Sequence, residues 1–143
     1  MADRRMKPQI EPFTPRVLRR EWGDEIIVAE TAHYLGKVLK MKAGTKGGLQ
    51  YHVEKDETFY LVSGEACVIC HDDYTVNSVT VPGIAMRRMF AGESYHIPPG
   101  AVHQVEAVTD CVFFETSTPH HDDRVRVEKD YGFPEDGGLP TTR

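Results

Sequence analysis

What most constrains this chain is a succession of short runs rich in Val, Ile, Tyr and Phe, each cut off by Gly, Asp or Pro. Such runs stand at Glu25–Glu30, Tyr34–Met41, Thr58–Val62, Ala66–His71, Ser94–Ile97, Gln104–Ala107 and Cys111–Thr116. Strand-forming runs at this spacing belong to an all-β barrel or sandwich. No amphipathic helix longer than two turns and no internal repeat interrupts them. A length of 143 residues holds one domain, and a 40% hydrophobic content can build its core without disulfide staples. The expected organisation is a polar arm over residues 1–16, with Pro8, Pro12 and Pro15, a barrel over 17–132, and a loose tail over 133–143 rich in Gly and Pro. The stretch Asp72–Ala91 resists assignment, since Met86-Arg87-Arg88-Met89 reads as a strand, a lid or a partner-facing loop.

Charge and cysteine usage narrow the partners. With 22 acidic against 17 basic residues the net charge is −5, which argues against nucleic acid or an anionic membrane surface as partner. No run of about 18 apolar residues is present to span a bilayer, and the start of the chain has no apolar segment behind its charges, unlike a secretory signal. Three cysteines cannot all pair within the chain, which fits a reducing, cytoplasmic location. Cys67-Val68-Ile69-Cys70 matches C-x-x-C, but strand residues three apart face opposite sides. These two read as packing residues and not as a redox or zinc pair.

Two clusters carry ligand chemistry. Gln50 and His52 lie two apart, so on a strand they share one face. Glu57 follows the charged turn Glu54-Lys55-Asp56 and opens the next strand, and a hairpin would return it beside His52. The turn Pro98-Pro99-Gly100 then delivers His103 onto a later strand. One amide oxygen, two imidazoles and one carboxylate from three strands suit one divalent ion: Zn, Mn, Fe, Co or Ni.

The full pattern resembles the cupin superfamily. The first cupin motif, G-x5-H-x-H-x(3,4)-E-x6-G, meets Gly44-x5-Gln50-x-His52-x4-Glu57-x6-Gly64. The second, G-x5-P-x-G-x2-H-x3-N, meets Gly92-x5-Pro98-x-Gly100-x2-His103-x3-Ala107. Gln50 replaces a His and Ala107 replaces the final Asn. The likeness extends to cupin-type mannose-6-phosphate isomerases through Trp22-Gly23, Leu49-Gln50-Tyr51-His52 and the tail Asp122-Asp123-Arg124-Val125-Arg126-Val127-Glu128-Lys129-Asp130-Tyr131-Gly132. Glu54 stands where those isomerases carry a second His, Lys129 is extra in the tail, and Phe133 replaces its last Arg. The resemblance implies a single-domain cupin, a double-stranded β-helix or jelly-roll barrel, with Gln50, His52, Glu57 and His103 as metal ligands. It also implies pairing into a homodimer.

By the same resemblance, the expected activity is a metal-dependent isomerase or epimerase acting on a sugar or sugar phosphate through a metal-stabilised enediolate. His96, two residues before Pro98, points either into the cavity as an acid or base or into a hydrogen-bonded wall; Glu54 is a second proton carrier. Arg126 falls on the family arginine tied to catalysis or phosphate binding, and Lys37, Arg87 and Arg88 are further anion contacts. Glu115 has the parity of Phe113 and lines the cavity or braces a ligand. His33, His71, His120 and His121 are read as surface residues. Two other readings stand beside the isomerase: an iron-dependent dioxygenase, and a non-catalytic cupin that binds a sugar or other effector.

Overall fold

In the computed structural model, which describes residues 7–143, the runs become thirteen strands. They are β1 (Arg16–Arg20), β2 (Gly23–Glu30), β3 (Leu35–Met41), β4 (Gln50–His52), β5 (Glu57–Ser63), β6 (Glu65–His71) and β7 (Tyr74–Val76), then β8 (Val79–Val81), β9 (Ile84–Phe90), β10 (Ser94–Ile97), β11 (His103–Ala107), β12 (Cys111–Ser117) and β13 (Arg124–Arg126). One 3₁₀ turn, Glu128–Tyr131, follows. A six-stranded sheet in the order β1-β2-β3-β12-β5-β10 faces a five-stranded sheet in the order β13-β4-β11-β6-β9, and all pairings are antiparallel. The result is a jelly-roll barrel.

The period of two that builds strands also divides the barrel interior into two zones. On β5 the inward residues run Glu57, Phe59, Leu61; on β12 they run Glu115, Phe113, Cys111; on β3 they run Lys37, Leu39, Met41. Glu57, Glu115 and Lys37 thus lie toward one end of the barrel interior and apolar residues of the same strands toward the other. Phe59, Leu61 and Phe113 close the apolar end against Ala66, Val68, Met89 and Ala107 of the facing sheet. The rings of Phe59 and Phe113 meet edge to face at 5.8 Å, and Tyr95 stacks on Phe59 at 5.9 Å. A smaller cluster of Leu49, Cys67, Ile69 and Val127 covers the other face of the five-stranded sheet. Cys67 thus joins one cluster while Cys70 packs on the other, as strand alternation requires.

Two turns show why glycine is needed where it stands. Gly64 links β5 to β6 at φ +96°, and a Cβ there would sit 2.3 Å from the Asp110 carbonyl oxygen. Gly100 turns the chain at φ +85° and donates its N–H to the His52 carbonyl at 2.8 Å, tying the Pro-Pro-Gly turn to the strand that carries His52.

Several expectations are corrected. His52 and Glu57 do not share a hairpin: β4 lies in the five-stranded sheet and β5 in the six-stranded one, so residues 53–56 cross between sheets. The arm is shorter than residues 1–16, because Arg16 already opens β1; its first six residues lie outside the described ones. The tail is not loose. Thr141 and Thr142 hydroxyls accept the N–H groups of Arg126 and Arg124, both at 3.0 Å, and Arg143 reaches Glu54 at 3.0 Å. Met86–Met89 is settled as strand, part of β9, which pairs with β6 along its whole length. The rest of that stretch is the small hairpin β7–β8, turned by Asn77 and Ser78 at positive φ. Arg87 and Arg88 sit on β9 as exposed residues, Arg88 pairs with Glu65, and neither lines the cavity described below.

Leu61 is fully buried between the sheets. Truncating a core leucine loses transfer energy and leaves a cavity, so Leu61→Ala should destabilise the fold by about 2–5 kcal/mol in urea denaturation.

Candidate metal centre

At the charged end, His52 of β4, Glu57 of β5 and His103 of β11 converge, and all three are buried. Their Nε2 atoms lie 3.3 Å (His52) and 3.2 Å (His103) from Glu57 Oε1. The opposite ring nitrogens are engaged. His52 Nδ1 donates to the Asp123 carbonyl at 2.8 Å, and His103 Nδ1 donates to the Ala101 carbonyl at 2.9 Å. A carbonyl oxygen can only accept, so both Nδ1 atoms carry hydrogen and each ring aims its Nε2 at Glu57. With Nδ1 as the hydrogen-bearing nitrogen, each Nε2 is the ring atom left to ligate an ion. Two imidazole nitrogens and one carboxylate oxygen, each ring braced from behind by a carbonyl, form a donor set that fits a borderline divalent ion. Gln50, two residues before His52 and paired in register with His103, lines the same cavity.

Behind the triad runs a ladder of alternating acidic and basic side chains. Lys55 Nζ stands 2.8 Å from Glu57 Oε2, though out of line for a hydrogen bond, and 3.5 Å from Glu115 Oε1. Lys37 Nζ lies 3.9 Å from Glu115 and 2.6 Å from Glu25 Oε1, whose other oxygen meets Arg20 Nε at 2.8 Å. Burial alone would raise the Glu57 carboxyl; the Lys55 charge and hydrogen bonds from His103 and His52 outweigh it and hold Glu57 well below the usual range. Glu115 is pushed the other way, up to about 8, by burial first and by the Glu57 charge second. Lys55 is raised against the pull of burial by the charges of Glu115 and Glu57. These groups line a cavity of about 530 Å³ that also includes Trp22, Arg124, Gly138 and Leu139.

The turn that crosses between sheets is held by Asp123, which is 2% exposed. Its carboxylate accepts the N–H groups of Val53 at 3.3 Å, Glu54 at 2.6 Å and Lys55 at 2.7 Å. Burial opposes its ionisation, but these bonds, with Arg143 nearby, lower its carboxyl below the ordinary value.

The remaining sequence-based candidates separate. Lys37 lines the cavity, matched to Glu25. His96 does not: alternation on β10 turns Tyr95 and Ile97 toward the core and sends His96 outward, where its ring, 60% exposed, meets Asp56 at 2.6 Å. Glu54 sits half exposed outside the cavity, paired with Arg143. Arg126 lies behind Gly48 with its charge matched by Glu128 and bonds to the Asp136 and Gly137 carbonyls, so it is not free to hold an anion. His121 stands at the rim, paired with Glu30. Sequence reading passed over Lys55 as part of a charged turn and Asp123 as part of a tail motif. Nothing in the residue order says that either is buried.

The cupin-domain family model matches residues 37–116, and the chain belongs to the cupin family. It is similar to mannose-1-phosphate guanylyltransferase of Salmonella muenchen, 27% identical over 135 residues; the match covers 90% of this chain and 24% of that protein, so the chain spans about a quarter of the relative's length. Among solved structures it is similar to the capsular polysaccharide assembling protein CapF of Staphylococcus aureus, with TM-score 0.63 and 23% identity over 81% of this chain and 35% of that one. It is also similar to KdgF of Halomonas sp., with TM-score 0.55 and 22% identity over 69% of this chain and 80% of that one. These structural likenesses establish the cupin barrel.

Asp123 braces both a ligand ring and the crossing turn. The carbonyl that braces the His52 ring is backbone and survives substitution, so Asp123→Asn should keep one equivalent of Zn²⁺ in calorimetric titration while loosening the crossing turn that its side chain holds. In metal-free protein a carboxyl with a lowered folded pKa stabilises the fold above its unfolded value of about 3.9 and loses that contribution as pH falls through the folded value. The stability gap between wild type and Asp123→Asn, followed by urea denaturation, should therefore be widest near neutrality and close as pH drops below about 4.

Proposed function

We propose that this cupin is a metal-dependent isomerase or epimerase acting on a sugar or sugar phosphate. The observation that carries the reading is the meeting of His52, Glu57 and His103 in a cavity whose wall sets charged side chains (Lys37, Lys55, Glu115, Arg124) beside apolar ones (Trp22, Leu39, Phe59, Phe113). Gln50 serves as the fourth ligand. The bound ion, one of Zn, Mn, Fe, Co or Ni, supplies Lewis acidity toward a carbonyl oxygen. The names of two similar proteins, a mannose-1-phosphate guanylyltransferase and a capsular polysaccharide assembling protein, are in keeping with a sugar ligand.

The chain's own side chains then divide the work. With His96 and Glu54 outside the cavity, Glu115 takes the role of proton carrier. It faces the cavity between Lys37 and Lys55, which steady its carboxylate when the proton leaves. Lys55 keeps Glu57 ionised and so ready as a ligand. Trp22 and the apolar end of the barrel keep bulk water from the reacting carbons.

Proton exchange at a sugar carbon is the direct test. Metal-reconstituted protein incubated in D₂O with aldose and ketose phosphates should incorporate deuterium next to the carbonyl, followed by NMR. His103→Ala should lose both bound metal and exchange. Glu115→Gln should keep one equivalent of metal and slow exchange by about 10²–10⁴-fold, the range of a general acid–base group. Undiminished exchange in His103→Ala would sink the mechanism, and oxygen uptake in place of exchange would move the assignment to a dioxygenase.

A further inference from the structure

We propose that Arg124 is the anion clamp of this cavity and that the substrate carries a phosphate or carboxylate group; this deepens the isomerase reading and rests on it. Arg124 stands on β13 in register with His52, so the fold sets it beside the triad. Its side chain is 9% exposed and lines the cavity. A guanidinium carries five N–H donors and no acceptor. Among the described residues Arg124 makes one side-chain hydrogen bond, from Nη2 to Asp122 Oδ1 at 3.2 Å. Asp122 is 79% exposed, so solvent screens that contact. The other N–H groups of Arg124 are not sealed from solvent but open onto the cavity, where an oxyanion supplies acceptors in place of water.

The neighbouring arginine sharpens the contrast. Arg126 lies two residues on, on the same face of β13, and meets Glu128 and two tail carbonyls. The fold spends Arg126 on holding the tail and leaves Arg124 open to the cavity. Charge balance points the same way. The lining holds five Lys and Arg (Arg16, Arg20, Lys37, Lys55, Arg124) and five Asp and Glu (Glu25, Glu30, Glu57, Glu115, Asp122). A divalent ion at the triad would leave the lining net positive, the more so while Glu115 holds its proton, and an anionic substrate group offsets that charge. An oxyanion presents two acceptors in the geometry of the guanidinium fork. Asp122 is the built-in competitor that an arriving anion displaces into solvent.

Calorimetric titration of the zinc-reconstituted full chain tests this with glucose 6-phosphate, glucuronate and neutral glucose. At least one anionic probe should bind about ten-fold or more tightly than glucose, the size expected for one charge-assisted fork. Which anion wins separates phosphate from carboxylate. Arg124→Gln should erase the margin while leaving glucose binding and one equivalent of zinc unchanged. Asp122→Asn, at an exposed position, should tighten anion binding by about three-fold and leave glucose unaffected; it decides the matter if Arg124→Gln loses its folded circular dichroism signal. Failure of both anions to outbind glucose, or anion binding unmoved by either substitution, overturns the clamp. Arg124-dependent anion binding without deuterium exchange would remove the isomerase reading and leave the clamp, whereas exchange without anion preference would do the reverse.

Discussion

A carboxylate inside a barrel must be met by positive charge, and the mouth of this barrel is organised around that demand at Glu57. One oxygen faces two imidazole nitrogens and the other faces Lys55. Lys37 is matched by Glu25, and Glu115, its carboxyl pushed up to about 8, sits between the ammonium groups of Lys55 and Lys37. Glu57 and Lys37 each keep a buried counter-charge, Lys55 and Glu25, within 2.8 Å. The ladder reaches the edge of the six-stranded sheet, where the last carboxylate, Glu25, meets the partly exposed cation Arg20. Removing Lys55 would leave Glu57 Oε2 without its facing cation, so these two buried charges stand or fall together.

The same strands carry the opposite chemistry a few residues further along. Phe59 and Leu61 follow Glu57 on β5, and Phe113 precedes Glu115 on β12. Rigid aromatic packing at one end thus fixes the positions of ionised groups at the other. A site built on strands in this way is held more closely than one carried on loops.

How far the residues announced this can be judged position by position. The strands and the cupin barrel were legible because alternation and turn residues are local signals, and His52, Glu57 and His103 were legible because motif spacing is one too. The crossing of residues 53–56 between sheets was not, since a four-residue turn is compatible with a hairpin or a crossover. The outward aim of His96 was available from parity: Tyr95 and Ile97 flank it, and only one parity can face the core. Arg124 and Arg126 could not be told apart, because they share a face and differ only in the partners that distant segments bring to them. β1 escaped notice because Arg16-Val17-Leu18-Arg19-Arg20 is an edge strand carrying three arginines, where exposure lets charge replace alternation.

Asp123 has a consequence for the order of assembly. Its side chain and carbonyl join residues about 70 positions earlier, gathering the 53–55 turn and orienting His52. Contacts of such long sequence separation form late, after the loop between them has been closed by other pairings. During synthesis the strands that bear all three triad residues leave the ribosome before Asp123 does. The His52 ring therefore gains its brace only when nearly the whole barrel has emerged, and the triad matures as one of the last acts of folding rather than as its nucleus.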